Sequence, residues 1–203
     1  MKYNVDKLTN SKHELNCIAN RHNDIFVIKE RLSISTYEKI NRIFSKRGIT
    51  QISFGDEELN TEFDIDAILI EAAIYFCYSL FDIILNVINN EIVPQKYILK
   101  ARNVTYSNIL NIIDSNVQLQ LKRIHDSDEY QYFNGFTNIS KHRGIVKKGT
   151  RFISSDKKTG PVIKEFEYDG IVFKESCWTE VFEKIDSFYK SIIEILGFLN
   201  NIK

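Results

Sequence analysis

Apolar residues recur at threes and fours from Tyr106 through Leu110, Ile113, Val117 and Leu121 to Ile124. That is the period of a helix with one buried face, and it predicts a helix over about 105–125. The clearest stripe comes last: Trp178, Val181, Phe182, Ile185, Phe188, Tyr189, Ile192, Leu196 and Leu199 predict a helix over about 178–200. Between them, Asp126-Ser127-Asp128 reads as a break and a new cap. The helix it opens runs over about 128–142, with Tyr130, Phe133, Phe136 and Thr137 inward, and stops at Gly144. The stretch over about 64–90 is apolar almost all round, so it should be central. Asp64 is its expected cap and Pro94 its stop. Its polar residues, Glu71, Tyr78, Ser79, Asp82, Asn86 and Asn89, keep to one face. Further upstream, Ser35-Thr36-Tyr37-Glu38 has the form of a capping box opening a helix that ends at Gly48. The segment before it reads equally as a short helix from Asn23-Asp24 to Leu32 or as a strand over Ile25 to Ile28.

The period changes after Gly144. Residues 145–155 and 162–174 are rich in β-branched and aromatic side chains, with a Gly/Pro-containing turn at 155–161. They predict a β-hairpin, with Asp169-Gly170 as a bulge or second turn. The expected fold is therefore all-α: an antiparallel helical bundle with a β-hairpin insert before the last helix. Residues 1–60 read as an N-terminal extension or small accessory lobe. Residues 61–203 read as the helical domain, with the hairpin at about 145–174.

Composition narrows the function. The 203 residues are 43% apolar, enough to bury a core without disulfide staples, which excludes collagen-like and disordered chains. Lys+Arg and Asp+Glu are equal at 27 each, so any grip on nucleic acid must be local rather than spread over the whole surface. One local imbalance exists. Lys141, Arg143, Lys147, Lys148, Arg151, Lys157 and Lys158 are opposed only by Asp156, while the segment from Asp56 to Glu71 carries seven acids and no base. A basic hairpin suits a phosphate backbone; its lysines equally suit an exposed strand edge. Cys17, Cys77 and Cys177 form no CxxC pair, which points to a reducing cytoplasm. His13, Cys17 and His22 fall short of a zinc site, and no metal is expected. The common nucleotide, zincin and hydrolase motifs are absent, so no cofactor is expected. The apolar run from Ile65 to Val93 carries Glu71 and Asp82, each costing about 2.5–3.5 kcal/mol at a bilayer centre. A buried helix is expected there, not a membrane span.

The most specific string is Tyr132-Phe133-Asn134-Gly135-Phe136-Thr137-Asn138-Ile139-Ser140-Lys141-His142-Arg143-Gly144. On a helix Asn138 and His142 share a face, Lys141 lies beside them and Arg143 follows. These donors can hold a phosphate, and an imidazole can pass protons near neutral pH. The same cations also suit the negative end of a helix dipole, with Asn138 as a structural amide. The candidate catalytic residues are His142, Arg143 and Asn138. The candidate RNA-binding residues are Lys141, Lys147, Lys148 and Arg151.

A long apolar helix, two further helices of which the second ends in Asn-x-x-Lys-His-Arg, and a last amphipathic helix together resemble the HEPN superfamily. The resemblance is strongest to a bacterial branch with a Phe/Tyr-rich helix ending in a similar string, and it covers about 64–200. It implies a helical domain that dimerises and, in many members, a metal-independent endoribonuclease. The family's catalytic signature is an Arg followed, four to six residues later, by a His. Here Arg102-Asn103 begins that way, but Ser107 stands where a His belongs, and His142 and Arg143 are in reversed order. The signature does not carry over, so His142 needs Arg143 or Arg102 near it in space to replace it.

Three functions follow as expectations. The first is an RNA-directed protein of the defence or toxin kind, cleaving or binding RNA at the Asn138/His142/Arg143 end. The second is a non-catalytic interaction module that dimerises or docks a protein partner. The third is a small-ligand or nucleotide binder between helices.

Overall fold

A computed structural model describes residues 5–47, 57–142, 146, 148–151 and 160–203. These are mostly helical. In chain order they form α1 (Lys12–Arg47), α2 (Glu57–Glu91), α3 (Tyr106–Leu110), α4 (Ser115–His125) and α5 (Asp128–His142). Five short strands follow: β1 (Lys148–Arg151), β2 (Gly160–Ile163), β3 (Phe166–Tyr168), β4 (Ile171–Phe173) and β5 (Ser176–Cys177). α6 (Trp178–Ile202) comes last.

Three boundaries differ from the sequence expectation. α1 runs unbroken through Asn23-Asp24 and Ser35, so neither opens a helix and residues 25–28 are not a strand. Ile18, Ile25 and Leu32, all buried, repeat at sevens across the supposed joint at Asn23-Asp24. A continuous buried stripe outweighs a local capping signal. α2 likewise starts at Glu57, which leaves Asp64 inside the helix rather than at its cap. Finally, the helix expected over 105–125 is two helices. Asp114 caps α4 by accepting from Asn116 N–H (2.9 Å) and Val117 N–H (3.1 Å). The Gln118 amide donates to the carbonyls of Leu110 (2.8 Å) and Ile113 (3.1 Å), which the break leaves open. The apolar period survives the break because Ile109, Ile113 and Val117 remain buried. The ends at Gly48 and Gly144 lie outside the described residues.

The chain forms two compact units, and residues 1–60 contribute to both. One comprises Met1–Asn23, Tyr75–Asn134 and Ile185–Lys203; the other comprises Asp24–Ile74 and Gly135–Lys184. In the first unit the start of α1 runs antiparallel to the end of α2. Asn90 Nδ2 donates to Glu14 Oε1 (3.1 Å), and the Arg21 guanidinium lies 4.4 Å from the centre of the Phe76 ring. Its core includes Cys77, Leu80, Ile84, Leu121, Phe133 and Ile192. Asn89, the last residue of the polar stripe, is buried. Leu99 N–H donates to Asn89 Oδ1 (2.9 Å) and Asn89 Nδ2 donates to Leu99 O (3.0 Å).

In the second unit β1 pairs with β2 antiparallel, with Lys148 opposite Ile163 and Arg151 opposite Gly160, so the expected hairpin strands are present. β2 also pairs with β5, though only at Val162 and Ile163. Pro161, which has no N–H to give, therefore sits where β1 is the sole neighbour. β3 and β4 make a second, separate hairpin. Its turn is Asp169-Gly170, both at positive φ (52° and 77°), the form that a two-residue Asp-Gly hairpin takes. α6 is capped at Cys177, whose N–H donates to Glu180 Oε2 (2.9 Å), the carboxylate half of a capping box.

Gly135 explains why α5 carries a glycine in mid-helix. A Cβ there would meet Phe173 Cε2 at 3.0 Å and Tyr168 Cβ at 3.2 Å, so the β3–β4 hairpin rests directly on the helix backbone. Gly135→Leu is expected to lift this hairpin, destabilising the protein by about 1–3 kcal/mol as overpacking does elsewhere. Chemical denaturation checks the loss, and faster amide exchange in β3 and β4 locates it.

Among the described residues one stretch, Ile65–Glu91 of α2, is long and apolar enough to cross a membrane. In its most apolar window 44% of the residues are buried inside the protein, among them Ile70, Ile74, Cys77 and Leu80.

Candidate functional site

α5 begins where Asp126-Ser127-Asp128 predicts. Ser127 Oγ accepts from Tyr130 N–H (3.2 Å), and Asp128 and Glu129 occupy the positive first turn. Phe133, Phe136 and Thr137 are fully buried and Tyr130 nearly so, as the stripe requires. The helix then continues unbroken to His142. Its last turn brings together Asn138, which is half-buried, Lys141, which is exposed, and His142, the final helical residue. The Thr137 hydroxyl, buried one turn before Lys141, has no hydrogen-bond partner among the described residues. Lys148 and Arg151 are the first and last residues of β1. Arg143 and Lys147 lie outside the described residues. Of the seven candidates, Asn138, Lys141 and His142 thus share one helical turn.

The carbonyl end of a helix carries partial negative charge. Any phosphate held here must be held by side chains, since no backbone N–H groups are free at that end. Lys141 and Asn138 supply side-chain N–H donors there.

A second group of polar residues was not singled out by sequence reasoning. The His125 ring ends α4, stacked on Tyr106 of α3 at 4.0 Å and 2° and lying 5.0 Å from the Tyr130 ring. Phe81 closes the group, 4.6 Å from Tyr130. His125 Nδ1 is 2.9 Å from Asp126 Oδ1. A carboxylate only accepts, so Nδ1–H is the donor in this contact. The Tyr78 and Tyr130 rings are stacked with centroids 5.9 Å apart, and Tyr78 donates to Asn134 Oδ1 (3.2 Å). Burial first, and the Tyr78 hydroxyl second, push the Tyr130 phenol well above its usual range. Burial and then Asp126 raise Tyr106. Both are neutral phenols at physiological pH. The adjacent pair His125-Asp126 at the end of an apolar stripe was the available signal, but it was read only as a helix break.

A third feature is a groove of about 770 Å³ in the first unit, between the start of α1 and α6 from Asp186 to Leu196. Ile18 and Leu196 form its buried floor, with Leu15 and Ile193 half-buried beside them. One wall is the His22 ring stacked on Tyr189 at 4.1 Å and 21°. The rim carries Asn16, Asn23 and Asp186.

His13 Nε2 and Cys17 Sγ are 3.7 Å apart, one turn from each other on α1, whereas His22 turns to Tyr189 instead. No group of three His, Cys, Asp or Glu side chains among the described residues is placed to hold a metal. Cys77 is fully buried and its thiol is pushed up, first by burial and then by Asp186, so it stays protonated and unreactive. Comparisons with protein families, with curated proteins and with solved structures find no match for this chain.

Proposed function

We propose that this protein is directed to RNA and that the last turn of α5 makes the contact. The observation that carries the reading is the gathering of Asn138, Lys141 and His142 within one helical turn, just before a basic stretch of chain. A zero net charge confines binding to such a local cluster. The order of elements, ending in Asn-x-x-Lys-His-Arg and a last amphipathic helix, supports a HEPN-like relationship. With it come a homodimer and a cytoplasmic place of action. α2 then acts as the core helix of a soluble bundle.

In this reading Lys141 and Arg143 neutralise phosphate charge, Asn138 donates to a phosphate or sugar oxygen, and His142 handles the proton of an attacking 2′-OH. Lys147, Lys148 and Arg151 extend the phosphate contact. No metal is required for that chemistry.

Incubating total RNA with purified protein in EDTA, beside His142→Ala, tests the catalytic half. Wild type is expected to degrade the RNA, with the variant slower by a factor of about 100 or more, the usual worth of a general acid or base. Equal cleavage by both removes His142 from the reaction and makes His125→Ala the next variant. No cleavage by either restricts the site to binding.

A further inference from the structure

We infer that the connection from α2 to α3, over residues 94–103, together with the exposed face of α4, docks onto an anionic phospholipid surface. The contact is peripheral and spans nothing. It lies in the first unit and does not rest on the RNA reading.

Charge comes first. From Ile92 to His125 the chain carries five Lys/Arg, at Lys96, Lys100, Arg102, Lys122 and Arg123, against one acid, Asp114. All five are exposed, and none is in an ion pair among the described residues. Asp114 caps α4 at the end away from Lys122 and Arg123, and the next acid, Asp126, accepts from His125. A chain of zero net charge thus gathers uncompensated positive charge here, in about the number that holds a protein to an anionic leaflet. Apolar exposure comes second. Tyr97 (51% exposed) and Ile98 (45%) stand between these cations, and Leu119 (65%) lies one turn from Lys122 and Arg123 on α4. Aliphatic side chains gain little from a hydrated polyanion, but they leave water when they enter the boundary between headgroups and acyl chains. Tyrosine is at home at that depth, and Lys96 Nζ lies 4.7 Å from the centre of the Tyr97 ring. Third, the connection is held at both ends. Asn89 binds the N–H and C=O of Leu99, and Asn108 Nδ2 donates to Asn103 O (2.9 Å). Leu99 is half-buried, while Tyr97, Ile98, Lys100 and Arg102 face solvent. The Tyr106–His125 stack ties the start of α3 to the end of α4, one turn from Lys122.

Flotation of the full chain with vesicles of phosphatidylcholine alone, and of phosphatidylcholine with about 30% phosphatidylserine, tests this. Wild type is expected to float with the phosphatidylserine vesicles only, and less of it as salt rises. Lys100→Glu/Arg102→Glu should weaken the partition at least about tenfold. Tyr97→Ser/Ile98→Ser should weaken it at least about threefold, by removing the apolar part. Both variants should melt as wild type does, since all four residues are exposed. Equal recovery on the two vesicles, no recovery on either, or wild-type partition by either variant overturns the inference. A labelled single-stranded RNA covers the other polyanion. If wild type ignores the vesicles and Lys100→Glu/Arg102→Glu loses RNA affinity, the patch serves nucleic acid and the lipid reading is overturned.

Discussion

Replacing Phe133 by alanine is expected to destabilise the protein by about 3–5 kcal/mol, the range for a buried phenylalanine. Phe133 is fully buried at the middle of α5. It meets the Phe188 ring edge-on at 5.6 Å and 80°, and the Tyr132 ring at 5.8 Å and 82°. Truncation loses the transfer energy of the ring, the two edge-to-face contacts and the dispersion of a filled site, because neighbours held in rigid helices collapse only partly into the space. For a chain of this size the loss corresponds to a melting temperature lower by roughly 6–20 °C. Phe133→Leu, which keeps most of the volume, should cost less than half as much. A thermal or urea melt of both variants checks the order, and a loss below 1 kcal/mol in Phe133→Ala would contradict this placement of α5.

The second large effect is expected at Asn89. Its carboxamide binds both the N–H and the C=O of Leu99 and so holds the segment after α2 against the helix. Asn89→Leu leaves two backbone groups without partners, at about 1–3 kcal/mol for each one that water does not reach. The expected total is about 2–6 kcal/mol if water reaches neither group. Asn89→Asp keeps the acceptor for Leu99 N–H but replaces the donor with an oxygen facing a carbonyl, so it should fall between wild type and Asn89→Leu. Amide exchange at Leu99 provides a local readout. Protection there should drop in both variants, while the amides at the centre of α6 should change only as global stability does.

Much of the fold was legible where one apolar stripe dictates one element. α6 begins at the expected Trp178, and α5 begins at the Asp126-Ser127-Asp128 break with the inward residues foreseen. The errors share a cause. Capping residues are local signals, and α1 and α2 run through three of them, at Asn23-Asp24, Ser35 and Asp64; across the first, Ile18, Ile25 and Leu32 stay buried in register. The converse holds at Asp114, where a real cap hides inside an apolar period that continues across the break. Gly135 looked like an ordinary residue of a Phe-rich string, and its reason lies in a hairpin more than thirty residues later.

The candidate sites divide in the same way. Asn138, Lys141 and His142 were readable because four-residue spacing on a helix is itself geometry. The groove was not, since His22 and Tyr189 come from opposite ends of the chain and nothing local joins them. The His125–Asp126 pair was in plain view. Asp126 already had a reading in the break between two helices, which hid its pairing with His125.

The most direct test of the account is the affinity of the protein for a fluorescently labelled single-stranded RNA, measured by anisotropy at two salt concentrations. The wild type is compared with an Asn138→Ala/His142→Ala double variant and with Lys141→Glu. The account predicts saturable binding that weakens with salt, as phosphate contacts require, and that falls at least about tenfold in both variants while their melts match wild type. Binding that is absent in the wild type, or that both variants retain in full, would contradict the placement of an RNA site at the end of α5.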